Sequence, residues 1–303
     1  MTTMIDATAS LSVQLVAIQM CSTTDIDANL AQLENQLQAW QQSRTPQELA
    51  ANDKCLVVLP ECFACFGGIH GENLACQETI GDDKAPIQQR LKQLAIEFGV
   101  WLVAGTIATR SPDSERFYAT SLVINAQGHL VADYQKIHLF DVDVVDGMGS
   151  YRESDTTYPG QRVVIFNLEG ITVGLAVCYD VRFPGLFSAL REQGADVVVL
   201  PSAFTVPTGK AHWHSLIRAR AIENQVYMVA AAQDGKHSKN RVTFGHSLVV
   251  DPWGDILAEL EHGQGFVSAP FNPVVLNEVR SKMPLQQHNR FKNELIDESN
   301  SRA

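Results

Sequence analysis

Two stretches of this chain each occur twice, in the same order, and that repetition limits the folds open to it. Val57-Val-Leu-Pro60 recurs as Val198-Val-Leu-Pro201. Ser121-Leu-Val-Ile-Asn-Ala-Gln-Gly-His-Leu130 is echoed by Ser247-Leu-Val-Val-Asp-Pro-Trp-Gly-Asp-Ile256. The longer pair reads as strand, turn closed by glycine, strand, which is a hairpin signature. The shorter pair ends short continuous apolar runs, as strands covered on both faces do. Two such half-units, each a sheet with helices on one side, can hide their bare faces against each other. The expected fold class is therefore α/β, a four-layer α-β-β-α sandwich.

The rest of the pattern fits that frame. Residues 13–20, 55–59, 171–177 and 196–200 read as buried strands, with further strands at 101–108, 120–124, 226–232 and 244–250. A helix starts near Asp25, with Ile26, Leu30, Leu33, Leu37 and Trp40 on one face and Thr24 or Asp25 as its cap. A second covers 86–98, with Pro86 at its start, Ile87, Leu91, Leu94 and Phe98 on one stripe, and Gly99 just past its end. Others begin near Pro184 and cover about 210–224. The polar stretch 141–160 reads as a long solvated loop, and the polar tail after Pro284 as surface chain. Residues 10–285 are expected to form a single domain, with 1–9 and 286–303 as terminal extensions.

Bulk properties narrow the function. The chain has 303 residues and a formal charge of −11 at pH 7, which repels phosphate backbones and disfavours a nucleic-acid partner. No apolar run approaches the roughly 20 residues that span a bilayer. The first residues lack the basic segment and apolar core of an export signal, so the six cysteines are expected to be reduced thiols in a cytoplasmic protein.

Three polar residues share one kind of position. Glu61 follows the run ending Leu59-Pro60, Lys136 follows Tyr134-Gln135, and Cys178 follows Gly174-Leu-Ala-Val177. Side chains leaving the ends of buried strands converge on ligands in layered α/β proteins. An unpaired charge at such an edge would cost several kcal/mol, a cost that mutual pairing in one pocket removes. Taken singly, Glu61 and Lys136 read as ordinary surface charges and Cys178 as an inert core thiol. Together they suit covalent acyl chemistry. Glu61 can take the thiol proton, Lys136 can favour thiolate and oxyanion, and the Tyr179 backbone N–H can serve as a further oxyanion donor.

The surrounding motifs resemble the nitrilase family of carbon–nitrogen hydrolases. They are Leu59-Pro-Glu-Cys-Phe63, Tyr134-Gln-Lys-Ile-His-Leu-Phe140, Tyr151-Arg-Glu-Ser154, Gly174-Leu-Ala-Val-Cys-Tyr-Asp-Val-Arg-Phe-Pro184, Pro201-Ser-Ala-Phe204, Gly209-Lys-Ala-His-Trp213 and Arg218-Ala-Arg-Ala-Ile-Glu-Asn-Gln225. The resemblance runs over roughly residues 12–285. It implies the four-layer sandwich, a Glu61–Lys136–Cys178 triad, Glu153 as a second active-site glutamate, no cofactor, and a homodimer or higher even-numbered oligomer. Within the family the motifs look most like the deaminated-glutathione amidase branch. That implies a small carboxylate-bearing linear amide, split to acid plus amine or ammonia through a thioester on Cys178. The neighbouring ω-amidases, which act on α-ketoglutaramate and α-ketosuccinamate, share much of the pattern and are the alternative. The resemblance matches Arg182 and Thr208 to substrate-contacting positions, with Tyr179 and Phe204 completing the candidate substrate-binding set. An ion pair between Arg182 and Asp180 is the plainer reading of that arginine. Gln135 and Gly185 depart from the family pattern.

Two rivals come from other classes. Cys62, Cys65, His70 and Cys76 could hold a structural zinc in a non-catalytic scaffold, although a second spaced ligand pair is missing. A Cys–His enzyme could use His138, His212, His214 or His246, but the Gly- and Ser-rich surroundings and the nucleophile-elbow pattern are absent around Cys178.

Overall fold

The computed structural model describes residues 13–46, 54–67, 72–146 and 149–296. In the first sheet, β1 (Val13–Gln19), β2 (Lys54–Val58) and β3 (Trp101–Val103) run parallel. β5 (Phe117–Ile124) pairs antiparallel with β3, with β4 (Ile107–Arg110) and with β6 (Leu130–Gln135). β17 (Gly265–Phe271) closes the other flank against β1. In the second sheet, β10 (Ile171–Leu175), β11 (Val197–Val199) and β12 (Tyr227–Ala230) run parallel, flanked by antiparallel β9 (Ile165–Leu168), β15 (Ser247–Val250) and β16 (Ile256–Leu260). Two-stranded ribbons β7 (Asp141–Asp143) with β8 (Ser150–Arg152) and β13 (Asp234–Lys236) with β14 (Val242–Phe244) lie outside the sheets.

The period-two alternation of strand side chains divides the apolar residues between layers. Leu15, Ala17, Leu56 and Val58 of the first sheet join Val173, Leu175, Val197 and Val199 of the second in one buried core. Their chain neighbours Val16, Ile18 and Val57 face the opposite way, into a core with Leu33, Leu37 and Trp40 of α1 (Ile26–Ser43) and Leu91, Leu94 and Phe98 of a later helix. Each fully buried aliphatic side chain contributes about 1.5–3 kcal/mol. Helix α2 (Glu72–Ala75) is one turn, and α3 (Pro86–Phe98) is that later helix. On the second sheet's outer face lie α4 (Pro184–Glu192) and α5 (Val206–Asn224), burying Phe187, Leu190, Trp213 and Ile217. The layers are therefore helix, sheet, sheet, helix, as the internal echoes predicted. Helices α6 (Pro273–Lys282) and α7 (Leu285–His288) follow the last strand.

Local signals work where they were expected. Asp25 caps α1 by accepting from the Ala28 N–H at 3.0 Å, and Gly99 ends α3 in the left-handed region at φ 63°. Four expectations need correction. The strand predicted over 101–108 is two strands, because Gly105 at φ 39° turns the chain into the Pro60 carbonyl, only 1.9 Å from where a β-carbon would sit. The strand predicted over 244–250 also breaks, at Gly245 and His246, both with positive φ. Helix α5 starts at Val206 rather than near 210, because the Thr205 hydroxyl accepts from the Thr208 N–H. Stretch 141–160 is not a bare loop but carries β7, β8 and a turn of 3-10 helix at Glu153–Asp155. The segment 1–9, His70 and residues 297–303 lie outside the described residues.

Candidate active site

Three separate elements deliver the polar residues to one place. Glu61 leaves the end of β2 through a turn in which Cys62 has φ 56°. The Thr106 hydroxyl holds that turn by accepting from the Cys62 N–H at 2.9 Å, and Gln233 Nε2 donates to the Glu61 carbonyl at 3.0 Å. Lys136 follows the last residue of β6. Cys178 follows β10, with its N–H bound to the Pro201 carbonyl at 2.8 Å. Its backbone, at φ 46°, is in a region that costs a non-glycine residue on the order of 1 kcal/mol or more. The sharp turn into the 3-10 helix Cys178–Arg182 thus exists without the glycines of a nucleophile elbow.

Lys136 is the hub. Its Nζ donates to Glu61 Oε1 at 2.8 Å and to Glu153 Oε1 and Oε2 at 2.9 and 2.8 Å. With 2% of its surface exposed, it would be costly as a lone cation. Burial pulls its pKa down, but the charges of Glu153, Glu61 and Cys178 overcome this and hold it well above the ordinary lysine value. Glu153 is itself fixed by the Phe140 N–H at 2.7 Å. The Cys178 thiol is pushed well above its ordinary value, first by burial, then by the Glu61 charge and its hydrogen bond with that carboxylate. The Lys136 charge and the Ala203 backbone N–H oppose the shift. At neutral pH the resting group is a thiol beside a carboxylate that can accept its proton.

Asp180, two residues after the thiol, ties the sheets together. It is fully buried. Its Oδ2 accepts from the Tyr134 hydroxyl at 2.7 Å and the Val177 N–H at 2.8 Å. Its Oδ1 accepts from the His138 N–H at 3.1 Å and lies 2.7 Å from His138 Nδ1. Tyr134 and His138 flank Lys136 by two residues on each side, so one carboxylate aligns the lysine strand with the cysteine turn. The Arg182–Asp180 ion pair considered from the sequence does not form. Arg182 instead donates to His212 Nδ1 at 3.3 Å, with its guanidinium 5.4 Å from the Phe204 ring centre and 5.8 Å from that of Tyr179.

A cavity of about 360 Å³ opens over this cluster, lined in part by Glu61, Lys136, Glu153 and Cys178. Tyr179, Phe204 and Thr208 also line it, whereas Arg182 does not. Cys62, Cys65 and Cys76 lie on the wall. Burial and the Glu61 charge push the Cys62 thiol up, which makes it a poor nucleophile. Among the described residues no three His, Cys, Asp or Glu side chains cluster as metal donors do. The histidines of a Cys–His reading are engaged elsewhere: His138 on Asp180, His212 on Arg182, His214 on Glu259 at 2.7 Å, and His246 on the Phe244 carbonyl at 2.8 Å.

Sequence reasoning missed Asp180 as a clamp, Gln233 and Thr106 as supports of the Glu61 turn, and Arg241 on the cavity wall. Only Asp180 carried a usable signal, an acid inside an otherwise apolar strand exit.

A thiol, a carboxylate able to take its proton and a fixed ammonium in one enclosed cavity define a kit for attack on acyl carbon. The carbon-nitrogen hydrolase family pattern matches residues 14–280. A deaminated glutathione amidase of Yersinia enterocolitica is 39% identical over 280 residues, 92% of this chain and 93% of its own. The human deaminated glutathione amidase is 38% identical over 94% of this chain and 84% of its own length. The crystal structure of Saccharomyces cerevisiae Nit3, a member of branch 10 of the nitrilase superfamily, superimposes with a TM-score of 0.81 at 31% identity. That match covers 93% of this chain and 98% of that one. The chain belongs to the carbon-nitrogen hydrolase family, and it is a hydrolase acting on carbon–nitrogen bonds other than peptide bonds. Among the described residues no helix is long and apolar enough to cross a membrane.

Proposed function

We propose that this chain is a thiol-dependent amidase that hydrolyses deaminated glutathione through a thioester on Cys178. The observation that carries the mechanism is the Lys136 ammonium, held between Glu61 and Glu153 beside the Cys178 thiol. The relatives named above support the substrate.

The amide carbonyl carbon comes against Cys178. As the sulfur–carbon bond forms, the thiol proton passes to Glu61, and the carbonyl electron pair becomes an oxyanion facing Lys136 and the Tyr179 N–H. Collapse of the tetrahedral species breaks the carbon–nitrogen bond, and Glu61 returns its proton to the leaving amine. Water then attacks the thioester while Glu61 takes a proton from it; the carbon–sulfur bond breaks, and the proton goes back to sulfur. Glu153 keeps Lys136 charged and aimed throughout. Fixed charges of this kind each supply on the order of 3 kcal/mol of transition-state stabilisation.

Tyr179, Phe204 and Thr208 form the wall for the acyl group, and Arg182 meets its carboxylate. Among the described residues that arginine is held by His212 and two ring faces, contacts worth about 1 kcal/mol when exposed, so it can turn toward a substrate at small cost. A homodimer belongs to the same proposal, and light scattering on the purified chain tests it.

The deciding experiment compares release of acid from deaminated glutathione and α-ketoglutaramate at matched concentrations. A preference above tenfold for the former, about 1.4 kcal/mol in transition-state binding, is expected. The opposite preference would make the chain an ω-amidase.

A further inference from the structure

Three cationic side chains line the cavity among the described residues, and two of them are committed. Lys136 is spent on Glu61 and Glu153. Arg152 is largely exposed and bonds Asp143 and the carbonyls of Val142 and Tyr151. The third is Arg241, at the start of β14 and next to the tip of the β13–β14 ribbon. Its Nη2 donates to the Ala203 carbonyl at 2.9 Å. Its guanidinium lies 4.8 Å from the Tyr151 ring centre and 5.3 Å from that of Phe66. Among the described residues its Nη1 has no hydrogen-bond partner of good geometry, and the guanidinium also interacts with the Tyr151 hydroxyl. A guanidinium on a cavity wall that leaves one donor unused can turn it to an anion there.

Its distance from the chemistry is bounded by the chain. The Ala203 N–H hydrogen-bonds the Cys178 sulfur and the Ala203 carbonyl binds Arg241, so one residue separates nucleophile from guanidinium. That bridge spans at most roughly 10 Å. A two-residue amine, roughly 7 Å long when extended, fits within that reach between a scissile nitrogen at the sulfur and a carboxylate at Arg241. The Tyr151 and Phe66 rings pack near the guanidinium, and a guanidinium edge matches a planar carboxylate.

We propose that Arg241 binds the carboxylate of the leaving amine, so that the enzyme selects amides whose departing group is a short peptide ending in a free acid. This rests on the amidase reading above and sharpens it: Arg182 meets the acyl side, Arg241 the departing side. A primary amide such as α-ketoglutaramate offers Arg241 nothing.

The test uses three substrates: deaminated glutathione, its C-terminal carboxamide and α-ketoglutaramate. The wild-type chain is expected to favour the free acid over the carboxamide by at least tenfold in kcat/KM, mostly through KM. Arg241→Gln keeps a donor for the Ala203 carbonyl and is expected to collapse that ratio to within threefold, with Arg241→Lys restoring part of it. Equal use of acid and carboxamide by the wild-type chain overturns the proposal without any variant. So does an Arg241→Gln chain that slows both substrates alike, which would reduce Arg241 to a prop for the Ala203 loop. If the wild-type chain hydrolyses none of the three, the amidase reading falls and takes this one with it.

Discussion

The exits of β2 and β11 begin with the same four residues and end in opposite uses. Val57-Val-Leu-Pro60 leads to Glu61, Val198-Val-Leu-Pro201 to Ser202. The Pro60 carbonyl packs against Gly105, so the next strand must break there. The Pro201 carbonyl instead accepts from the Cys178 N–H and holds the nucleophile's turn. Glu61 points its carboxylate into the cavity, while the Ser202 hydroxyl donates to the Leu200 carbonyl at 3.2 Å and stays in the core. The repeated hairpins show how closely the frames match otherwise. Their register shifts fall at Val123/Ile124 and Val249/Val250, the same step of the echo. Asn125 and Asp251 cap the two turns alike, each accepting two backbone N–H bonds. One scaffold has been used twice, with the carboxylate and the ammonium on one copy and the thiol on the other. The proposed mechanism needs the copies held in register, and Asp180 bonds to both.

Breaking that asymmetry gives graded outcomes. Cys178→Ala should lower turnover by about 10⁴-fold or more while the circular dichroism spectrum stays native, because the thioester forms on that sulfur. Lys136→Arg should cost about 10³-fold in kcat: a planar fork cannot replace one compact ammonium shared by two carboxylates; near-normal kcat would reduce Lys136 to a structural cation. Asp180→Asn leaves the volume but loses charged acceptors for Tyr134 and His138. A fall of about 10- to 100-fold in kcat, with KM little changed and about 2 kcal/mol lost in urea unfolding, is expected. Glu61→Gln and Ser202→Ala occupy equivalent addresses. The first should silence the enzyme, the second should cost about 1 kcal/mol of stability and less than twofold in kcat.

The smallest effect is in pH. Burial lowers the His237 pKa from its ordinary 6.5 to about 4. The unfolded chain therefore takes up this proton first, so the contribution is present above pH 6.5 and is lost as pH falls toward 4. The melting temperature of the wild-type chain should drop more over that window than that of His237→Gln. Parallel curves would exclude the linkage.

The layers and the three strand-end groups were legible because they depend on local periodicity and on apolar runs ended by polar residues. Gly105 and His246 broke expected strands for reasons that lie across the fold, a neighbouring carbonyl in one case and a ladder shift to Glu261 in the other. Arg241 sits in Lys236-His-Ser-Lys-Asn-Arg241, a stretch that reads as a solvated turn. Its meaning comes only from Ala203, Phe66 and Tyr151, residues far away in the chain. In sequence Asp180 reads as a partner for its near neighbour Arg182, whereas beyond the adjacent Val177 N–H its carboxylate binds Tyr134 and His138, more than forty residues away.

The central claim is that the thiol of one copy is acylated under the control of the carboxylate and ammonium of the other. Rapid quenching of the wild-type chain with deaminated glutathione, followed by peptide mass mapping, tests it directly. The account predicts an acyl adduct on the peptide carrying Cys178, removed by hydroxylamine and absent from Cys178→Ala. Steady turnover by Cys178→Ala, with no adduct on the wild-type chain, would contradict it.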